Sequence, residues 1–298
     1  MTEQKNSFDK NLCTDCGICV SVCSNMLIEK NSSGKVGFKD CVSRHCLACG
    51  QCMAICPAQA IFAAGLSYEK DFAPMPTDIA DAAAFANMLS TRRSVRSFTD
   101  EPVSDQDLAY IFEQVQKAPI GAPPNMYQVE ATVVSERATL DRALPLMIDL
   151  YEKFIKLASN PIVRFFMKLK MTAEEKTTVF DFVLPLMKSV LPESKQNGLD
   201  PLMWGAPVLI LFHAPKSAMG HTEDIHIANT YAFLAAHARG LGATVLGVVP
   251  PAVEMNAKLR EMFNIPVDHK VISSIIAGHP EHRYQRTIRR RLLKVNRV

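Results

Sequence analysis

Eight of the nine cysteines fall in two runs of identical spacing. The first is Cys13-x-x-Cys16-x-x-Cys19-x-x-x-Cys23, and the second is Cys46-x-x-Cys49-x-x-Cys52-x-x-x-Cys56, followed by Pro57. Three thiolates two residues apart on a tight loop wrap three corners of an iron–sulfur cube, and the fourth corner needs a ligand from elsewhere. Zinc more often uses two separated C-x-x-C pairs. Disulfides need an oxidising compartment, and the polar N-terminus MTEQKNSF carries no apolar stretch of secretory type. Cys41 lies outside both runs; it reads as a small residue beside the second run, or as a redox-active thiol.

The spacing resembles that of bacterial ferredoxins, in which the fourth cysteine of each run ligates the other cluster. The resemblance implies two [4Fe-4S] clusters. Cluster I takes Cys13, Cys16, Cys19 and Cys56, and cluster II takes Cys46, Cys49, Cys52 and Cys23. Ser24 stands where the second run has Pro57, which loosens a turn and removes no ligand. An internal repeat aligns Cys23–Ile28 with Cys56–Ile61 at an offset of 33 positions. Each half is expected to be a cysteine loop, a short helix and a strand, related by a pseudo-twofold. Residues 1–72 are too few to hold together by apolar burial alone, so the clusters act as staples. Asn31 to Gly37 reads as a hairpin turn. Seven basic residues balance seven acidic ones in 1–72, which suits an internal relay better than a diffusing carrier.

The chain has 298 residues, enough for one further domain of ordinary size, and 48% hydrophobic residues support a sizeable core. A net charge of +3 is too small to argue for nucleic acid. No apolar run approaches the roughly 18 residues of a membrane span. Cysteine usage without a leader points to a reducing, cytoplasmic setting.

Asp71 to Pro76 (DFAPMP) is a Pro-punctuated linker, and residues 73–90 read as linker and a helix capped by Thr77 or Asp78, with Ile79, Phe85 and Leu89 among its apolar positions. Then comes Thr91-Arg92-Arg93-Ser94-Val95-Arg96-Ser97-Phe98. Read blandly it is a solvated helix end, but guanidiniums and a hydroxyl this close also suit a phosphate and a polyol. Asp105 to Gln116 has helical periodicity, Ala118 to Asn125 (APIGAPPN) is a loop, and Ala131 to Val134 a strand. Residues 145–200 predict two or three amphipathic helices broken at Pro161, Pro185 and Pro192: core and surface, a lid walled by Phe165, Phe166, Met167, Met171 and Phe182, or a membrane-surface helix. Val208 to Phe212 reads as a buried central strand, and His213 at its end as structural. His221 to His226 (HTEDIH) precedes a helix predicted over Ile227 to Arg239, and its spacing fits no metal site.

Three of these stretches resemble the nitroreductase superfamily of FMN flavoproteins. The R-R-S-x-R-x-F run is similar to that family's first flavin-binding segment. Ala118-Pro-Ile-Gly121 is similar to its Ala-Pro-Ser loop, which in the dimer reaches the other subunit's flavin. Gly240 to Val248 resembles the strand beside the isoalloxazine, where a backbone amide meets flavin N5. The usual N-x-Q-P-W is replaced by PPNMYQVE, a form resembling the subgroup with a ferredoxin domain fused ahead. The resemblance implies FMN ligands at Arg92, Arg93, Ser94 and Arg96, at Pro119, Ile120 and Gly121, and at Leu246, Gly247 and Val248. After Gly278-His-Pro280, it implies that Arg283 and Arg286 complete the phosphate site; the remaining C-terminal arginines read as a docking patch for an acidic carrier or as a solvated tail.

The expected architecture is α+β: a two-cluster ferredoxin-like domain over 1–72, a linker and helix over 73–90, and an FMN-binding domain over 91–298 with a helical insertion at about 145–200. The second domain should be a three-layer α/β/α unit with a mainly antiparallel sheet, paired as a homodimer. The implied function is reduction of a small nitro, quinone or enone compound, with electrons from external ferredoxin or NAD(P)H passing through two clusters to FMN. Alternatives are an electron-transfer module serving a partner protein and a cluster-based redox sensor. No catalytic acid is identifiable.

Overall fold

The computed structural model describes residues 6–39, 46–119, 121, 128–289 and 294–297. Cys41, Ile120 and Asn125 lie outside the described residues. The chain divides into two compact units, residues 1–79 and 80–298, and the division falls inside the stretch read as linker.

The first unit is built twice. Strand β1 (Ser7–Phe8) pairs antiparallel with β4 (Ile61–Phe62), and β2 (Ile28–Lys30) with β3 (Val36–Phe38) through the expected hairpin. Helix α1 (Ile18–Val22) and helix α2 (Gln51–Ala54) start 33 residues apart, and α3 (Tyr68–Asp71) closes the unit. The repeat extends to backbone angles. Asp15 and Ala48 are left-handed at φ 54° and 49°, Gly17 and Gly50 at 82° and 73°, and Met26 and Gln59 at 54° and 50°. Four of those six residues are not glycine, and left-handed backbone costs an L-residue about 1 kcal/mol or more. A loop strained in the same way twice is shaped to turn its thiols inward. The core beneath is small: Cys19, Ile28, Met53, Ile61 and Ala63.

The second unit holds a four-stranded antiparallel sheet in the order β5 (Glu130–Val134), β6 (Val208–Pro215), β8 (His269–Gly278), β7 (Gly242–Val245). Alternation along β6 sends Leu209 and Leu211 to one face and Val208, Ile210 and Phe212 to the other. The first face packs on helices α6 (Arg137–Ser159), α9 (Leu184–Asn197), α11 (Val249–Met255) and α12 (Ala257–Met262). The second packs on α5 (Asp105–Val115) and α10 (His221–Ala238). Both faces are therefore covered, which gives the three layers expected.

Three expectations are corrected. Helix α4 (Ala82–Thr91) starts after Asp81, whose side chain accepts from the Ala84 amide, and not at Thr77 or Asp78; the alanine run and the nearer carboxylate fix the start. Helix α10 begins at His221, because left-handed Gly220 (φ 72°) turns the chain and Glu223 and Asp224 suit the positive end of a helix. Residues 145–200 hold more helix than predicted: the rest of α6, then α7 (Pro161–Leu169), α8 (Ala173–Lys176), a π-helical turn over Thr177–Val183, and α9. Pro192 lies inside α9, where Leu191 and Ser194 are buried and tertiary packing outweighs the lost hydrogen bond. Met167 and Met171 pack with Phe180 and Leu184, whereas Phe165, Phe166 and Phe182 are exposed. No helix among the described residues is long and apolar enough to cross a membrane.

Candidate functional site

The two cysteine runs interleave. One cavity is lined by Cys13, Cys16, Cys19 and Cys56, and a separate one by Cys23, Cys46, Cys49 and Cys52. Each gathers three thiols from one run and the fourth from the other. All eight are free thiols, and among the described residues no three of them fall within 4.8 Å of one another. A tetrahedral zinc with Zn–S of about 2.3 Å would draw its sulfurs closer than that, so the donor set fits a polynuclear cluster. Amides already point at the cysteine sulfurs: Leu27 N–H to Cys23 Sγ and Ala60 N–H to Cys56 Sγ, both 3.3 Å and again 33 residues apart, and Ala48 N–H to Cys46 Sγ at 3.4 Å. Burial pushes the Cys52 thiol up to about 11, with the neighbouring Cys46, Cys49 and Cys23 adding to it. Burial also raises Cys19, whereas a backbone hydrogen bond from Ile18 lowers the exposed Cys16. Crowded, half-buried thiols of this kind lose their protons to a metal rather than to water.

The second site forms along the outer edge of β7. The Arg92–Phe98 segment is laid against that edge: Val95 N–H donates to the Ala243 carbonyl at 3.0 Å, and the Thr244 hydroxyl donates to the Val95 carbonyl. Ser94 and Phe98 form bridges to Ala243 and Pro280. Close approach is possible because two strand residues are glycine. A Cβ at Gly242 would stand 2.7 Å from Val95, and one at Gly278 would stand 2.6 Å from Pro207 and 2.9 Å from Phe98. The C-terminal segment then crosses the same strap, with Thr99 N–H donating to the His279 carbonyl at 2.9 Å and Glu281 N–H to the Ser97 carbonyl at 3.1 Å. Ser97 Oγ donates to the Glu281 carboxylate.

Arginines from both segments meet here. Arg93 donates from one terminal nitrogen to the Arg286 carbonyl at 3.2 Å, while its Nε is buried with no hydrogen-bond partner among the described residues. A buried guanidinium N–H left unpaired is costly, and an anion is its natural acceptor. Arg92 lies over the Phe233 ring at 4.5 Å and Arg96 over Trp204 at 5.1 Å. Arg96, Ser97, Phe98, Arg137, Trp204 and Glu281 border an open cleft of about 570 Å3. Beyond β7, Leu246 is buried and makes two hydrogen bonds to Ser274, its N–H donating to the Ser274 carbonyl at 2.9 Å and its carbonyl accepting from Ser274 Oγ at 3.0 Å. Gly247 is exposed with open space where a side chain would stand, and the Tyr151 hydroxyl donates to the Val248 carbonyl.

The structure thus brings Arg92, Arg93, Ser94, Arg96, Leu246, Gly247 and Val248 to one sheet edge. Arg286 joins them through its backbone, and Arg283 is exposed nearby in sequence. Pro119 and Gly121 are placed elsewhere: Gly121 N–H donates to Asp224 Oδ2 at 3.1 Å, at the start of α10. That anchor, and Trp204, Arg137, Ser97 and Glu281, were missed by sequence reasoning. Glu281 carried a signal only as the last acid before a basic tail.

A sheet covered on both faces, with an arginine-bearing strap along one edge, defines an α+β domain. The nitroreductase family model matches residues 89–279, well over half of the chain, and covers neither cysteine run. The chain belongs to the nitroreductase family. A Bacillus subtilis FMN reductase [NAD(P)H] is 27% identical over 200 residues, and the match spans 65% of this chain and 65% of that relative. The fold is that of an FMN-bound nitroreductase from Bacteroides fragilis, with a TM-score of 0.53 at 16% identity over 72% of this chain and 97% of that one. An FMN-bound nitroreductase from Desulfitobacterium hafniense gives 0.51 at 19% identity, over 72% and 97%.

Proposed function

We propose that this chain is an FMN- and iron–sulfur-dependent oxidoreductase that reduces a small nitro, quinone or enone compound. The observation that carries it is the pairing of a crossed set of eight thiols with an arginine strap of nitroreductase type on one chain. FMN, when bound, exchanges electrons singly or in pairs, so it lets a one-electron supply serve two-electron chemistry.

The residues divide the work as follows. Cys13, Cys16, Cys19 and Cys56 hold one [4Fe-4S] cluster and Cys46, Cys49, Cys52 and Cys23 the other, each cluster a single-electron store. Arg93 and Arg96 take the flavin phosphate, with Ser94 at the polyol and the 283–286 segment closing over them. Gly247, bare of a side chain, lets a ring approach the backbone, and the Tyr151 hydroxyl fixes that backbone from behind through Val248. Trp204, held by Arg96, walls the cleft in which substrate lies. The chain works as a homodimer, with Pro119, Ile120 and Gly121 serving the neighbouring subunit's flavin. Exposed Ile162, Phe165, Phe166 and Leu169 on α7 supply apolar surface for such an assembly. External ferredoxin or NAD(P)H is the donor, and the setting is cytoplasmic.

Anaerobic purification followed by iron, sulfide and flavin analysis tests the reading. About eight irons and one FMN per chain are expected, with donor-dependent turnover of a nitro or quinone compound that stops when flavin is stripped and the clusters remain. Eight irons without flavin would overturn it.

A further inference from the structure

The start of β5, the end of β6 and the start of β8 meet at one end of the sheet, five residues along β8 from Ser274, the residue that holds Leu246. Glu130 opens β5 directly opposite His213 of β6. The β6–β8 register shifts between Phe212 and His213, and His269 opens β8. Both histidines are buried, at 2% and 6% exposure. Their Nδ1 atoms are 2.9 Å apart, and Glu130 Oε2 lies 4.0 Å from the first and 3.9 Å from the second. Among the described residues this is the one group of three His, Cys, Asp or Glu ligand atoms within 4.8 Å of one another.

We propose that Glu130, His213 and His269 form a binding site for one zinc(II) ion, separate from the cluster and flavin sites. Imidazole and carboxylate without thiolate suit a borderline divalent ion better than calcium or magnesium. Tetrahedral zinc, with Zn–N of 2.0–2.1 Å, sets neighbouring nitrogens about 3.4 Å apart, so the rings part by about half an ångström. The Glu130 side chain is 58% exposed on an edge strand and free to swing inward, and water takes the fourth position. Thr132 Oγ1 is 3.0 Å from His213 Nε2, a partner that holds this ring's proton at Nε2 and leaves Nδ1 for the metal. Zinc replaces the proton shared between the two Nδ1 atoms, which moves to His269 Nε2. Arg260, the cation facing this pocket, is paired with Glu254 at 2.5 Å and bonded to the Pro266 and His269 carbonyls at 2.8 and 3.1 Å, so its charge is spoken for.

The test uses the full chain with clusters and flavin in place. It is dialysed against buffered free zinc, and zinc and iron are counted together by mass spectrometry. One zinc per chain is expected with iron unchanged, along with a higher melting temperature. Glu130→Gln, at an exposed position that leaves folding intact, should weaken zinc binding roughly tenfold or more, and His269→Asn should abolish it. The proposal is overturned by no zinc retained at 10 μM free ion, by equal retention in wild type and Glu130→Gln, or by zinc uptake matched by iron loss, which would place the ion on the cluster cysteines.

Discussion

Arg93 Nε is the polar atom that most clearly asks for a ligand at the sheet edge. It is buried and unpaired while the rest of the guanidinium is engaged with backbone carbonyls. A charge-assisted hydrogen bond contributes about 1.5–3 kcal/mol, so Arg93→Gln should lower FMN affinity by about 10- to 100-fold. Arg283→Gln, at an exposed side chain, should cost clearly less; quenching of flavin fluorescence on binding measures both. The glycines supply a second contrast. Gly242→Ala places a methyl group 2.7 Å from Val95 and must push the strap off β7, whereas Gly247→Ala meets nothing within 4 Å. Gly242→Ala should lower the melting temperature and release flavin together. Gly247→Ala should leave the melting temperature within about 1 °C and act, if at all, on turnover; equal melting losses would show that the strap is not held by this contact. The arginine run was legible as a cluster of cations because charge and spacing are local. Which arginine carries a buried Nε was not, because that depends on residues 279–286 lying across the strap nearly two hundred positions later.

At the scale of the element, β6 was readable as a continuous apolar run because both its faces are buried, α5 by its helical period because one face is buried, and the hairpin of the first unit by its turn residues. Helix starts were read less well. They turn on single capping groups, and Asp81 competes with Thr77 and Asp78 a few residues away. Residues 145–200 resisted reading because Pro161 and Pro185 start helices while Pro145 and Pro192 lie inside helices that packing tolerates. The link between α5 and α10 has a pH dependence that can be stated. The Ser104 hydroxyl, and then Arg239 at 2.6 Å, hold the Asp107 carboxyl below the usual carboxylate range. A carboxyl with a depressed folded pKa stabilises the fold fully above its unfolded value of roughly 4, and that contribution fades as pH falls through the folded value. The pair is partly exposed, so it is worth at most about 1 kcal/mol. Asp107→Asn should therefore lower the melting temperature by about 2–4 °C at pH 7 and by less at about pH 3, below the unfolded value. A loss of equal size at both pH values would assign the effect to packing instead.

For the whole molecule, the crossed cysteine sets make a prediction that an uncrossed arrangement does not. Cys23 lies in the first run but lines the cavity with Cys46, Cys49 and Cys52, and Cys56 lies in the second run but lines the cavity with Cys13, Cys16 and Cys19. If the runs each closed on themselves, Cys23→Ser would disable the same cluster as Cys16→Ser. In the crossed arrangement, Cys23→Ser disables the same cluster as Cys49→Ser, and Cys56→Ser the same as Cys16→Ser. Iron should fall from about eight to about four in every single variant, so the count alone does not decide. The double variants do: Cys23→Ser with Cys49→Ser should retain about four irons, and Cys23→Ser with Cys16→Ser close to none. Stability should follow the same division. Among the described residues the first unit has two two-stranded ladders over a core cluster of five buried residues, too little apolar burial to stand unless a bound metal staples it. The second unit has its own sheet buried on both faces. Chelating iron from the wild type should therefore abolish one calorimetric transition and leave the other, with flavin still bound to the surviving unit. Loss of both transitions together would mean that the two units do not fold independently.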